Sequence, residues 1–172
     1  MLKGSLRVKS LQLILALLTT QKEQPFMKTK VYLDNCCYGR PYDDQTQTRI
    51  HSEAQAKMKI QQMIEAGTLK LVASSFLLDE NDKKSDSIAK NNILKYIDSN
   101  MGEFVEGQNN EDLWSLAKSI EEDGIKSMDA AHLASAIITE CSYFITTDDR
   151  ILKYNTDRIK IIDPVRFITK ER

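Results

Sequence analysis

From Met27 onward, apolar residues recur with two alternating periods. Short β-branched and aromatic runs predict strands at Lys30-Val31-Tyr32-Leu33-Asp34, at residues 69–73, at Tyr143-Phe144-Ile145-Thr146 and at residues 159–162. Phe104-Val105 predicts a brief further strand. Between these runs the spacing is helical. Ala56, Ile60, Met63 and Ile64 mark a helix from about Arg49 to Ala66, stopped by Gly67. A short helix follows through Phe76 to Glu80, with Ser74 or Ser75 as its cap. Further stripes are Ile93, Leu94 and Ile97; Leu113, Leu116, Ala117 and Ile120; and Ala130, Leu133, Ala134, Ile137 and Ile138. Residues 35–48, with Gly39 and Pro41, predict a loop, and residues 81–87 an exposed polar stretch. Strands alternating with helices imply an α/β fold of three layers, a mostly parallel central sheet flanked by helices.

The first 26 residues stand apart. Lys3, Arg7 and Lys9 precede an apolar run from Leu11 to Leu18 that is too short to span a bilayer, which takes roughly 20 residues. Residues 1–26 are therefore expected to be an extension upstream of a start at Met27, or else an amphipathic helix or export segment, with residues 27–172 as the folded domain. The extension carries a net charge of +3 within a chain of net charge −1, so the remainder is acidic. That balance excludes a broadly basic nucleic-acid coat but permits a local basic rim. Three cysteines, Cys36, Cys37 and Cys141, do not form a disulfide framework, which suits a reducing cytoplasm. No membrane association is expected.

Chemistry is expected where a parallel sheet binds ligands, beyond the carboxyl ends of its strands. Asp34 ends the first strand, Asp79 and Glu80 follow the second, Asp148 and Asp149 follow the strand at 143–146, and Asp129 opens a helix. Four segments thus bring carboxylates to one edge, and like charges gathered there are costly unless a cation neutralises them. Oxygen-only ligands suit Mg²⁺ or Mn²⁺. Such a cluster can activate water against a phosphodiester.

Tyr32-Leu33-Asp34, Met128-Asp129-Ala130-Ala131-His132-Leu133-Ala134 and Ile145-Thr146-Thr147-Asp148 resemble the signature of PIN domains, over about residues 30–168. Asn35-Cys36-Cys37 with Arg40-Pro41-Tyr42-Asp43-Asp44 is similar to a bacterial and archaeal, toxin-type branch. The resemblance implies a metal-dependent ribonuclease, often the toxin of a type II toxin–antitoxin pair. Its acids map onto Asp34, Asp129 and Asp148, with Glu80 as the second acid and Asp79 as its competitor. It also implies that Thr146 orients a water at the metal.

Around this set, Asn35 and Arg40 are candidate substrate contacts, through a held water and a bidentate phosphate contact respectively. Asp149 is expected to cap the turn containing Ile151, and Asp43 or Asp44 to cap the helix beginning near Arg49. His132 reads as a partly buried, hydrogen-bonded residue, and Cys36 and Cys37 as packing behind Asp34. Trp114 reads as a core or dimer contact, and a homodimer is expected. A phosphatase of the haloacid-dehalogenase kind would need an aspartate where Cys36 stands. A catalytically silent PIN-fold module binding RNA or protein is the alternative, although binding alone does not require all these acids.

Overall fold

The computed structural model describes residues 28–170, so the expectations placed on residues 1–26 lie outside the described residues. Five strands form one sheet in the order β3-β2-β1-β4-β5: β1 (Thr29–Leu33), β2 (Leu69–Ser74), β3 (Met101–Val105), β4 (Tyr143–Ile145) and β5 (Lys160–Ile162). Every pairing is parallel, and β1 lies at the centre with Tyr32 opposite both Val72 and Phe144. The helices are α1 (Asn35–Gly39), α2 (Thr48–Glu65), α3 (Ser75–Asp82), α4 (Ser87–Asn100), α5 (Glu111–Glu122), α6 (Ser127–Ile138) and α7 (Pro164–Lys170).

Side chains alternate across a strand, and here both faces are covered. Tyr32, Val72 and Phe144 pack into a core with Leu113, Ile120, Leu133 and Ala134 of α5 and α6. Val31, Leu33, Leu71 and Ile145 pack into a second core with Ile60 of α2, Ile93 and Ile97 of α4 and Phe167 of α7. The expected three layers therefore follow from strands that are apolar on both sides. None of the helices among the described residues is long and apolar enough to cross a membrane.

Several local expectations are corrected. Residues 35–42 are helical rather than a loop: α1 runs directly into a 3₁₀ turn at Arg40–Tyr42. Burial of Cys37 and Tyr38 against the second core outweighs the turn chemistry of Gly39 and Pro41. The third strand spans five residues, and its edge position leaves Phe104 exposed. Leu94 faces outward instead of joining the core, whereas Trp114, half exposed, packs edge-on against the core ring of Phe76. Asn81 is buried, with its side-chain amide donating to the carbonyl of Lys90. Asp44 binds Thr46 ahead of α2, and the residue that caps α2 is Gln47.

Two junctions fix the helices that carry acids. Ser74 caps α3 by accepting the amide of Leu77. Gly107, between β3 and α5, donates its amide to Ser75 Oγ and accepts from Trp114 Nε1. A Cβ at Gly107 would come 2.3 Å from the Phe76 ring. Gly107→Ala is therefore expected to destabilise the protein by about 1–3 kcal/mol, the usual cost of overpacking. A lowered urea midpoint with unchanged m would show it, and an unchanged midpoint would contradict this packing.

Candidate metal centre

The strand order reverses at β1: the chain runs from β1 to β2 and β3 on one side, then crosses to β4 and β5 on the other. The crevice outside the carboxyl ends of β1 and β4 is thus the topological switch point where such sheets bind ligands. Asp34 and Thr146 are the residues that follow these two strands. The ladder continues past both ends, with Asp34 N–H donating to Ile145 O and Thr146 N–H to Ile162 O.

Asp34 is buried and held by its neighbours. Its Oδ2 accepts from Thr146 Oγ1 at 2.7 Å and from Cys36 Sγ at 3.2 Å. Thr146 Oγ1 in turn accepts the amide of Asp148 at 3.0 Å. Thr146 therefore sits in the site as an orienting contact for Asp34 and for the start of the next loop. Cys36 does more than pack, since Sγ also accepts the amide of Thr147. Cys37 is the packing residue of the pair.

Glu80 comes from the second turn of α3. Its Oε2 lies 3.0 Å from His132 Nε2, and Asn35 also hydrogen-bonds its carboxylate. The hydrogen bond from His132 leads the causes that hold the Glu80 carboxyl below its ordinary value, against the opposing effect of burial. Asn35 is buried, and its Oδ1 has no protein partner. The neighbouring acid Asp79 is exposed. Ligand atoms of Asp34, Glu80 and His132 lie within 4.8 Å of one another.

Asp129 lies in the first turn of α6, whose N-cap position is Lys126, with no side-chain capping bond. Burial, and then the charges of Asp34 and Asp148, push the Asp129 carboxyl above its ordinary value. The guanidinium of Arg150 opposes this only in part. Asp148 is held low, chiefly by its hydrogen bond with Arg150, whose Nη2 lies 2.5 Å from Oδ2.

The structure places the remaining candidates differently from expectation. Asp148 Oδ1, and not Asp149, accepts the amide of Arg150 before the turn at Ile151–Lys153. Asp149 instead forms a two-pronged ion pair with Arg49. Arg40 is engaged rather than free for phosphate, ion-paired with buried Glu53 at 2.6 Å and with Asp43 at 2.9 Å. Arg150 joins the site through Asp148, and its only sequence signal is its position two residues after that acid. The sequence pattern marks Tyr32 only as a strand residue, and nothing in its spacing reveals that its hydroxyl lies 2.7 Å from His132 Nδ1.

No protein-family model and no curated protein sequence matches the chain. Among solved structures, a chain of VapBC2 from Rickettsia felis, solved bound to a DNA fragment from its promoter, is similar with a TM-score of 0.50 at 14% identity. The match covers 78% of this chain and 98% of that one. FitAcB from Neisseria gonorrhoeae is a looser likeness, with a TM-score of 0.46 at 16% identity over 78% of this chain and 97% of that one. With its parallel 3-2-1-4-5 sheet and helices on both faces, the chain has a PIN-like fold.

Proposed function

We propose that this protein is a Mg²⁺- or Mn²⁺-dependent endoribonuclease of the PIN type. One observation carries the reading: at the switch point of a parallel sheet, carboxylate oxygens of Asp34 and Glu80 lie within 4.8 Å of each other, with Asp129 close enough for Asp34 and Asp148 to act on its charge. The donors fit a hard cation, because Asp34, Glu80, Asp129 and Asp148 offer carboxylate oxygens and buried Asn35 Oδ1 lacks a partner. A divalent cation bound there would supply the Lewis acidity that activates water and stabilises the leaving oxygen of a phosphodiester.

The chain's own groups set the geometry. Thr146 and Cys36 fix one oxygen of Asp34, while no hydrogen bond among the described residues engages its Oδ1. His132 and Asn35 fix Glu80, which makes Glu80 rather than exposed Asp79 the second acid of this proposal. Arg150 bonds Asp148 through Nε and Nη2 but is well exposed, so the remaining edge of its guanidinium can reach an RNA phosphate, the contact first expected of Arg40. Asn35 Oδ1 can accept from a water or a ribose hydroxyl at the same edge.

Two partner assignments belong to this reading. The likeness to a chain of the VapBC2 complex supports a toxin-type protein with a cognate antitoxin. A homodimer is proposed with it, and exposed Ile88 and Leu94 on α4 are apolar area that a partner would cover. Three free cysteines suit a reducing cytoplasm.

Purified protein incubated with a mixed RNA pool should cleave it with Mg²⁺ or Mn²⁺ and not with chelator. Asp34→Asn and Asp129→Asn should abolish cleavage while remaining folded. Wild-type rates in either variant would remove the assignment, and RNA binding without cleavage would leave the silent binding module instead.

The raised Asp129 carboxyl also predicts a pH dependence. Its folded form holds the proton more tightly than its unfolded form, so ionising it costs the metal-free protein stability as pH rises above the ordinary value of about 3.9. In chelator, Asp129→Asn should melt with wild type below about pH 4 and above it at pH 7. Adding Mg²⁺ should reverse that order. A variant that melts lower than wild type at pH 7 in chelator would contradict the electrostatic account.

A further inference from the structure

Behind the acids, polar groups form a row inside an otherwise apolar core. Ser74 Oγ lies 2.6 Å from the Tyr32 hydroxyl, that hydroxyl lies 2.7 Å from His132 Nδ1, and His132 Nε2 lies 3.0 Å from Glu80 Oε2. Ser74, Tyr32 and His132 are all essentially without solvent exposure. The row begins at the cap of α3 and returns to the same helix at Glu80, after passing through β1 and α6.

The two ends decide which way every proton points. A carboxylate only accepts, so His132 Nε2 carries a hydrogen and donates it to Glu80. At the other end Ser74 Oγ accepts the amide of Leu77, and the Tyr32 oxygen is the acceptor within reach of its own proton among the described residues. Tyr32 therefore accepts from Ser74 and donates its phenolic hydrogen to His132 Nδ1. An imidazolium would turn the Tyr32 proton away from His132 and leave the buried Ser74 proton without an acceptor. The other neutral tautomer would aim the Nε2 lone pair at the Glu80 carboxylate.

We propose that Tyr32 is a positioning residue that fixes His132 as the neutral tautomer protonated on Nε2, so that His132 orients Glu80 and does not itself ligate the cation. This rests on the reading above that the cluster holds a divalent ion. His132 is near enough to count among the ligands by distance, but the nitrogen facing the acids is the one bearing hydrogen. The donor set is left all-oxygen, which favours Mg²⁺ and Mn²⁺ over Zn²⁺. Groups that orient ligands in this way commonly govern metal affinity without touching the ion.

The chain has two histidines, and His51 is exposed, so nitrogen-15 spectra of histidine-labelled protein distinguish the buried ring. His132 should show a hydrogen on Nε2 and a bare Nδ1 in metal-free protein, unchanged on saturation with Mg²⁺. Tyr32→Phe retains the ring stacked on Phe144. It should mix the tautomers and raise the Mn²⁺ needed for half-saturation by about 10- to 100-fold, read from the resonance signal of free Mn²⁺. Phe144→Leu, which disturbs the same packing outside the row, should leave tautomer and Mn²⁺ affinity as in wild type. A hydrogen on Nδ1 in wild type, its loss from Nε2 on Mg²⁺ binding, or wild-type Mn²⁺ affinity in Tyr32→Phe would overturn the proposal. Wild type that binds no Mn²⁺ would overturn the metal reading and the positioning role together, whereas a wrong tautomer overturns the relay alone.

Discussion

Repulsion among carboxylates gathered at one sheet edge is the constraint on which the rest of the site depends. Each acid meets it differently. Asp34 is stabilised by donors from Thr146 and Cys36, Glu80 by His132 and Asn35, and Asp148 by the guanidinium of Arg150. Asp129 has no such donor among the described residues, and burial, followed by the charges of Asp34 and Asp148, raises its carboxyl. Such an arrangement costs a protein stability, and it persists where the cost has a use, as at a site awaiting positive charge.

The scaffold makes the gathering unavoidable. Parallel strands present their carboxyl ends on one side, and β1 at the switch point places Asp34 between α3 and α6, which bring Glu80 and Asp129. Two apolar cores, one on each face, hold those helices through residues such as Leu77 and Leu133. A second ion network, from Arg40 through Glu53 and Arg49 to Asp149, ties the start of α2 to the loop after β4. The two aspartates after that strand thus divide their work: Asp148 faces the acids, and Asp149 braces the loop.

Much of this was legible along the chain. The runs at Val31, Leu71 and Phe144 read as buried strands because both faces are apolar, and the stripe Leu113, Ala117, Ile120 read as a helix face. Carboxylates at strand ends were equally readable once the sheet was taken as parallel. Partnerships across long separations were not. Tyr32 and His132 are 100 residues apart, and Arg49 and Asp149 likewise, so local spacing holds no trace of either bond. Tertiary burial also overrode local chemistry at Cys37 and Tyr38, where turn residues fold as helix. Lys57 lies buried on α2 over the rings of Tyr38 and Tyr96, its pKa lowered to about 8 by burial, a placement that only the tertiary packing reveals.

The account stands on the claim that the edge acids hold a divalent cation, and calorimetric titration of metal-free protein tests it most directly. Mg²⁺ or Mn²⁺ added at neutral pH should bind saturably, because Asp34 and Asp129 at the edge lack a counter-charge of their own among the described residues. Asp34→Asn should lose that heat while keeping the wild-type fold by circular dichroism. Absence of saturable binding to wild type, or undiminished binding to Asp34→Asn, would contradict the account.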